Sequence, residues 1–278
     1  MIHLGLIGYP LEHSLSPNIH LAALQACQLE GDYALFPVSP DSKQGLEDLL
    51  AQIRVGNIHG LNVTIPHKQN VIPFLDQLTS TANAVGAVNT IYFRNHKLIG
   101  DNTDADGFLL DLKRFIGNRE SKIANRKLAL ILGAGGSARA VIHALINDGW
   151  NVAVAARRIE QARQLAASFL PRELLITNYK AFALEPLTFN LIVNTTPVGM
   201  TPNTNQSPWP DGLQLPHQAM IYDLVYNPRE TKLVKDACAA GLSATTGLGM
   251  LIEQAALSFE IWTGQNPPRA ILYSSVVE

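Results

Sequence analysis

The run Leu128–Leu132 passes at once into Gly133-Ala134-Gly135-Gly136-Ser137-Ala138. An apolar β run that turns through G-x-G-x-x-A into a helix opens a βαβ nucleotide-binding unit, and that context gives the glycine pattern its meaning. Gly133 permits the tight turn, Gly135 lets backbone approach a pyrophosphate, and Ala138 keeps the helix close to the strand. The helix start, with Gly136 and Ser137, offers N–H groups and the positive dipole end to an anion.

The next strand, Asn151–Ala155, leads into Ala156-Arg157-Arg158. A chain that prefers NAD usually sets Asp or Glu about 20 residues past the glycines, for the ribose 2′-hydroxyl. No acid stands there, and guanidinium groups suit a 2′-phosphate. The expected cofactor is therefore NADP, with Arg157 and Arg158 as its 2′-phosphate ligands.

A chain of 278 residues suggests roughly two domains. Hydrophobic residues make up 47% and charged residues 16%, which suits folded cores and argues against disorder. A net charge of -2 leaves no basic excess for nucleic-acid phosphates. No apolar run reaches the ~18 residues of a membrane helix, and the apolar start lacks the basic flank and cleavage site of a signal peptide. Cys27 and Cys238 lie too far apart in sequence to suggest a disulfide framework or a metal motif. The eight histidines show no metal-ligand spacing, His13 and His67 included. The expectation is a cytoplasmic enzyme with a small-molecule substrate and no metal, membrane or nucleic-acid partner.

Strand and helix patterns alternate through the first ~100 residues. Strands are expected at 3–7, 33–38 and 59–64, helices at 18–28 and 45–54, and a hairpin at 87–94 and 97–99 around Asn95-His96. A helix follows over Asp104–Ile116, and the polar stretch 117–127 reads as a linker between two units. Beyond it come strands Leu128–Leu132, Asn151–Ala155, 174–176, 191–193 and Met220–Asp223, with helices at 137–147, 160–169, 230–239 and 250–262. This order implies a parallel, doubly wound sheet. The stretch 197–216, with five prolines, reads as an irregular loop.

A nicotinamide implies hydride transfer at a carbonyl, whose oxygen must gain a proton from a nearby donor. The strand at 59–64 runs into Asn62-Val63-Thr64-Ile65-Pro66-His67-Lys68, where alternation puts Asn62 and Thr64 on one face and the proline turn presents Lys68. Asp104, in Asn102-Thr103-Asp104, stands at a helix start, where it either holds Lys68 in position or caps the helix.

These segments, taken in order, resemble the shikimate dehydrogenases. Ser14-Leu15-Ser16-Pro17 resembles that family's carboxylate-binding motif, and Asn62–Lys68 its N-V-T-x-P-x-K segment. Gly86-Ala87-Val88-Asn89-Thr90, Asn102-Thr103-Asp104, Asn194-Thr195-Thr196-Pro197-x-Gly199-Met200, Tyr226-Asn227-Pro228 and Gly247-Leu248-Gly249-Met250-Leu251-x-x-Gln254 resemble further family segments. The resemblance runs from about Gly8 to Gly264.

It implies NADPH-linked reduction of 3-dehydroshikimate to shikimate, with Lys68 as acid/base and Asp104 as its partner. It implies Ser14, Ser16, Asn62, Thr64, Asn89, Tyr226 and Gln254 at the substrate, and the hydroxyls and amides among them suit a small polyhydroxylated ligand. Thr195, Thr196, Pro197, Met200, Val225 and Gly247 join Gly133–Ala138, Arg157 and Arg158 at the cofactor, with Met200 packing near the nicotinamide. Two α/β domains are implied, with a cleft between them: residues 1–101 plus 242–278 for substrate, and a Rossmann-type domain at 102–241 for NADP. Monomer and homodimer both occur in the family, and the sequence does not choose between them.

One segment departs from the family pattern N-R-T-x-x-K-A. Here Ala156, Arg158 and Gln161 replace its asparagine, threonine and lysine, and Arg158 is placed to replace the lost lysine charge. A quinate/shikimate dehydrogenase with broader substrate or NAD use is the alternative. A non-catalytic dinucleotide sensor would need neither Lys68 nor Asp104.

Overall fold

The computed structural model describes residues 1–117, 127–169, 174–177 and 189–277. It divides into two compact units, Met1–Gly107 with Leu251–Glu278, and Phe108–Met250. The cuts expected at 101/102 and 241/242 lie six and nine residues before these divisions. Both observed divisions fall inside helices, Asp104–Ile116 and Leu248–Thr263. A helix carries its periodicity through such a division, so composition does not mark it. The stretch 117–127 is not the link between the units, and most of it (118–126) lies outside the described residues.

In the first unit, β1 (Ile2–Gly8), β2 (Gly31–Pro37), β3 (Gly60–Val63), β4 (Gln77–Leu78), β5 (Thr90–Arg94) and β6 (Lys97–Asp101) form one sheet in the order β2-β1-β3-β5-β6-β4. β1 runs parallel to β2 and β3, whereas β5 is antiparallel to β3 and β6. Asn62 therefore pairs with Thr90, and Thr90 with Asp101. That register gathers the carboxyl ends of β1, β3 and β6 and the amino end of β5 at one edge. The β5–β6 hairpin turns through Asn95 and His96, at φ 53° and 60°, the left-handed pair that matches strand twist in a two-residue hairpin.

Helices α1 (Ser16–Ala26), α2 (Lys43–Arg54) and α3 (Ser80–Val85) belong to this unit, and α4 (Asp104–Ile116) begins in it. α2 shows why its sequence is helical. Ser42 Oγ accepts the Gly45 N–H at 3.2 Å, a cap that satisfies one orphan donor. Leu46, Leu50 and Ile53 recur on one face and bury among Leu61, Val63, Ile91 and Leu98. Burying each contributes about 1.5–3 kcal/mol, and Leu50→Ala would cost about 2–5 kcal/mol.

The second unit holds β7 (Leu128–Leu132), α5 (Gly136–Asn147), β8 (Asn151–Ala155), α6 (Ile159–Ala167), β9 (Leu175–Thr177), β10 (Leu191–Asn194), β11 (Met220–Asp223), α7 (Lys232–Ala239) and β12 (Ala244–Thr246). Its strands are parallel throughout, in the order β12-β11-β10-β7-β8-β9. Counted along the chain this is 3-2-1-4-5-6, with the reversal between β7 and β10, where such sheets bind ligands at the strands' carboxyl ends. Leu130, Leu132, Ile192, Ile221 and Leu233 pack with Trp209, which the proline-rich stretch lays against the core. That stretch forms neither helix nor strand, and the Trp209 indole N–H donates to the Leu213 carbonyl at 2.9 Å. α7 begins at Lys232 because Thr231 Oγ1 accepts the Val234 N–H and caps it.

α8 (Leu248–Thr263) returns the chain to the first unit, where α9 (Arg269–Val277) packs on α1. Arg269 Nε donates to Glu253 Oε2 at 2.9 Å and ties α9 to α8. Among the described residues, no helix is long and apolar enough to cross a membrane.

Candidate active site

Lys68 follows the Pro66 turn after β3, and its Nζ lies 2.6 Å from Asp104 Oδ2. The two side chains are only 12% and 5% exposed. Asp104 opens α4, yet Asn102 makes the capping contact, its Oδ1 accepting the Ala105 N–H at 3.2 Å. The Asp104 carboxylate is thereby left for the lysine. Its Oδ1 accepts Asn89 Nδ2 at 3.0 Å. Asn89 Oδ1 accepts the Thr103 N–H at 2.8 Å. A backbone N–H only donates, so this bond settles which end of the amide faces Asp104. Gln254, on α8, accepts from Asn89 Nδ2 at 3.2 Å while its own Nε2 donates to the Leu251 carbonyl.

Asn62 joins the same network and is almost fully buried. Its Oδ1 accepts the Tyr33 hydroxyl at 2.9 Å, and its Nδ2 donates to the Asn89 carbonyl at 3.1 Å and to Ser258 Oγ at 3.0 Å. The Thr64 methyl rests so close to Gly8 that a Cβ there would collide with it. Ser14 and Ser16 lie after β1, at the sheet end that carries residues 64–68 after β3. The Tyr9 N–H donates to the Ile65 carbonyl at 2.9 Å and joins those two segments. Ser14 Oγ accepts the Ser16 N–H at 3.3 Å, and no side chain caps α1. Thus Lys68, Asp104, Asn89, Gln254 and Asn62 share one hydrogen-bonded cluster. Ser14, Ser16 and Thr64 stand at the same sheet end without joining it among the described residues. Tyr226 lies in the second unit, after β11.

Sequence reasoning gave no role to three buried hydroxyls in this cluster: Thr90 and Thr103, which stand in segments it singled out, and Ser258, which it missed. Ser258 stands four residues after Gln254, a spacing that puts both on one helix face and was a usable signal.

The second unit's candidates line the carboxyl ends of its sheet. Gly133 has φ +117°, and a Cβ there would lie 2.6 Å from Thr195 Oγ1. Its N–H donates to the Ala155 carbonyl at 2.8 Å. A Cβ on Gly135 would meet nothing within 4 Å, no side chain caps α5, and Ala138 is fully buried against the sheet. Open space over Gly135 and the N–H groups that a helix start leaves without intrahelical partners, around Gly136 and Ser137, fit a pyrophosphate. Ala134 is half-buried in the turn. Arg157 and Arg158 are exposed at the end of β8, and Arg158 Nε donates to Gln161 Oε1 at 3.1 Å.

Thr195 Oγ1 donates to the Leu132 carbonyl at 2.8 Å, and Thr196 Oγ1 to Asn194 Oδ1 at 2.7 Å. Thr195 thus ties the end of β10 to that of β7 across the switch point, whereas Thr196 bonds back onto the end of β10. The Met200 N–H donates to the Pro197 carbonyl, and the Met200 side chain is exposed. Val225 is buried, and a Cβ on Gly247 would collide with the Leu224 carbonyl. Burial pushes the Tyr226 phenol up. Sequence reasoning also missed Asp223, whose carboxylate accepts from Asn194 Nδ2 at 2.8 Å, Thr231 Oγ1 at 2.7 Å and the Val225 N–H at 3.0 Å. Burial raises its carboxyl pKa, against those three bonds. Among the described residues, no group of three or more His, Cys, Asp or Glu side chains could hold a metal ion.

Residues 6–91 match the shikimate dehydrogenase substrate binding domain, and residues 247–276 the shikimate 5'-dehydrogenase C-terminal domain. The chain is 40% identical to a shikimate dehydrogenase (NADP(+)) of Salinibacter ruber, over 98% of this chain and 95% of that protein. It is 41% identical to one of Carboxydothermus hydrogenoformans, with the same two coverages. A crystal structure of shikimate 5-dehydrogenase from Thermus thermophilus, in complex with NADP(H) and shikimate, superposes with a TM-score of 0.85. That match is at 36% identity and covers 99% of this chain and 98% of the other. With such identity over almost the whole length of both sequences, the chain belongs to the shikimate dehydrogenase family.

Proposed function

We propose that this chain catalyses the reversible NADPH-linked reduction of 3-dehydroshikimate to shikimate, a step towards chorismate and the aromatic amino acids. The observation that carries the reading is the Lys68–Asp104 pair, a nearly buried ammonium held by a carboxylate among amide groups. NADPH, when bound, supplies the hydride to the substrate's carbonyl carbon. The Lys68 ammonium donates its proton to the carbonyl oxygen as that oxygen gains charge, and takes it back in the reverse direction. Before transfer its positive charge stabilises the developing alkoxide. Asp104 orients the ammonium, and Asn89 and Gln254 bind ring hydroxyls. Ser14 and Ser16 take the carboxylate, and Asn62 and Thr64 complete the first unit's substrate pocket, with Tyr226 a further substrate-binding residue.

The second unit holds NADP. Gly133, Ala134, Gly135, Gly136, Ser137 and Ala138 take the pyrophosphate at the start of α5, and Arg157 and Arg158 the 2′-phosphate. Thr195, Thr196, Pro197, Met200, Val225 and Gly247 line the remaining strand ends.

Purified protein, offered shikimate or quinate with NADP or NAD, tests the reading through the absorbance of reduced nicotinamide. Turnover with shikimate and NADP, far above the other three pairs, is the expected result. Comparable turnover with quinate or NAD assigns the chain to the broader enzyme, and none in any pair removes the reading.

A further inference from the structure

Three buried hydroxyls meet beside Asn89. Ser258 Oγ lies 2.7 Å from Thr90 Oγ1 and 3.0 Å from Thr103 Oγ1. Thr90 and Ser258 are fully buried, and Thr103 is 4% exposed. Each hydroxyl has one proton to give, and the surroundings direct all three. Thr90 donates to Asn89 Oδ1 at 3.0 Å. The Gln254 carbonyl is the acceptor 3.0 Å from both Thr103 Oγ1 and Ser258 Oγ. Ser258 Oγ receives Asn62 Nδ2 at 3.0 Å, and Thr103 Oγ1 receives Asn89 Nδ2 at 2.9 Å. Thr103 Oγ1 also reaches Asn89 Oδ1 at 3.3 Å, so each of the three hydroxyls has an acceptor at hand.

None of the three hydroxyls hydrogen-bonds Lys68 or the Asp104 carboxylate among the described residues. Their net contribution to stability is small, because burial costs most of what the bonds return. What they add is direction. The Asn89 amide is held from both ends, by the Thr103 N–H and Thr90 Oγ1 on its oxygen and by Asp104, Gln254 and Thr103 Oγ1 around its nitrogen. The same trio holds the Asn62 amide and the main chain at Gln254.

We infer that Thr90, Thr103 and Ser258 are positioning residues, a closed hydroxyl trio that aligns Asn89 and thereby sets the Asp104 carboxylate at Lys68 for proton transfer. The inference rests on the reading of Lys68 as acid/base. A fully satisfied buried network orients a site more sharply than its separate bonds suggest, and small misplacements of reacting groups cost large factors in rate.

The test compares Thr90→Val, which keeps shape and removes the hydroxyl, with Thr90→Ser, which keeps the hydroxyl, and adds Ser258→Ala. Thr90→Val and Ser258→Ala should each lower kcat with shikimate about tenfold and displace the pH–kcat profile, with the KM for NADP unchanged. Thr90→Ser should recover most of the lost kcat. If a variant fails to fold, Ser258→Cys, a near-isostere with a weaker donor, is read for the same drop and displacement. Wild-type kcat and pH profile in the folded variants, with only the melting temperature lowered, would overturn the inference. An unsubstituted chain without turnover would instead overturn the functional reading, and this inference with it.

Discussion

Lys68 Nζ and Asp104 Oδ2 stand 2.6 Å apart, and Asp104 Oδ1 is at the same time bonded to Asn89. One carboxylate thus faces the ammonium with one oxygen and a fixed amide with the other. Asp104→Asn keeps the shape and removes the charge that orients the lysine. It should lower kcat roughly 10²-fold or more while the protein stays folded, and steady-state kinetics beside a thermal melt separates the two effects.

Gly107 sets how closely α4 approaches α8 within the first unit. A Cβ there would lie 2.7 Å from the Gln254 backbone nitrogen and 3.0 Å from its Cα, and backbone cannot swing aside. Gly107→Ala should destabilise by about 1–3 kcal/mol and raise the KM for shikimate through the displaced Gln254. Denaturant melts and substrate KM check it; a wild-type KM would mean that the α8 backbone yields without moving the amide.

Arg157 is exposed at the end of β8. Arg157→Asp should raise the KM for NADP about 10–100-fold and leave the KM for NAD little changed. Cofactor kinetics at fixed shikimate make the comparison, and an unchanged NADP KM would move the 2′-phosphate site elsewhere.

His20 is fully buried, stacked on Tyr33 at 4.4 Å, and neither ring nitrogen has a hydrogen-bond partner among the described residues. Burial lowers its pKa from 6.5 to about 3, with a smaller opposing effect from the Asn62 amide. Below pH 6.5 the unfolded chain takes up the proton first. Its contribution to stability is therefore full above pH 6.5 and shrinks as pH falls towards 3, by up to about 1.4 kcal/mol per pH unit. In His20→Leu the acid-side slope of unfolding free energy should fall by about one proton. Urea melts across that window measure it.

The sequence made the Lys68–Asp104 pairing legible because each residue sits in a marked segment, the proline turn and the start of a helix. The doubly wound sheet was legible because its strands are short apolar runs between turns. What stayed hidden had no local signature. β4 and β12 are too short to show a period. α9 is nine residues long and, among the described residues, buries only Leu272 and Val276 as an apolar pair four apart, too little to show a period. The unit boundaries at Gly107 and Met250 fall inside helices. Asn102 rather than Asp104 closes the start of α4, whereas the sequence pointed only to Asp104 as a cap. Thr90 and Ser258 are 168 positions apart in sequence, so only the folded chain brings their hydroxyls together.

The most direct measurement is kcat for Lys68→Ala with shikimate and NADP, taken beside the affinity of the variant for shikimate. The expected result is a fall of roughly 10²–10⁴-fold in kcat with shikimate still bound. A kcat near that of the unsubstituted chain would contradict Lys68 as the acid/base group.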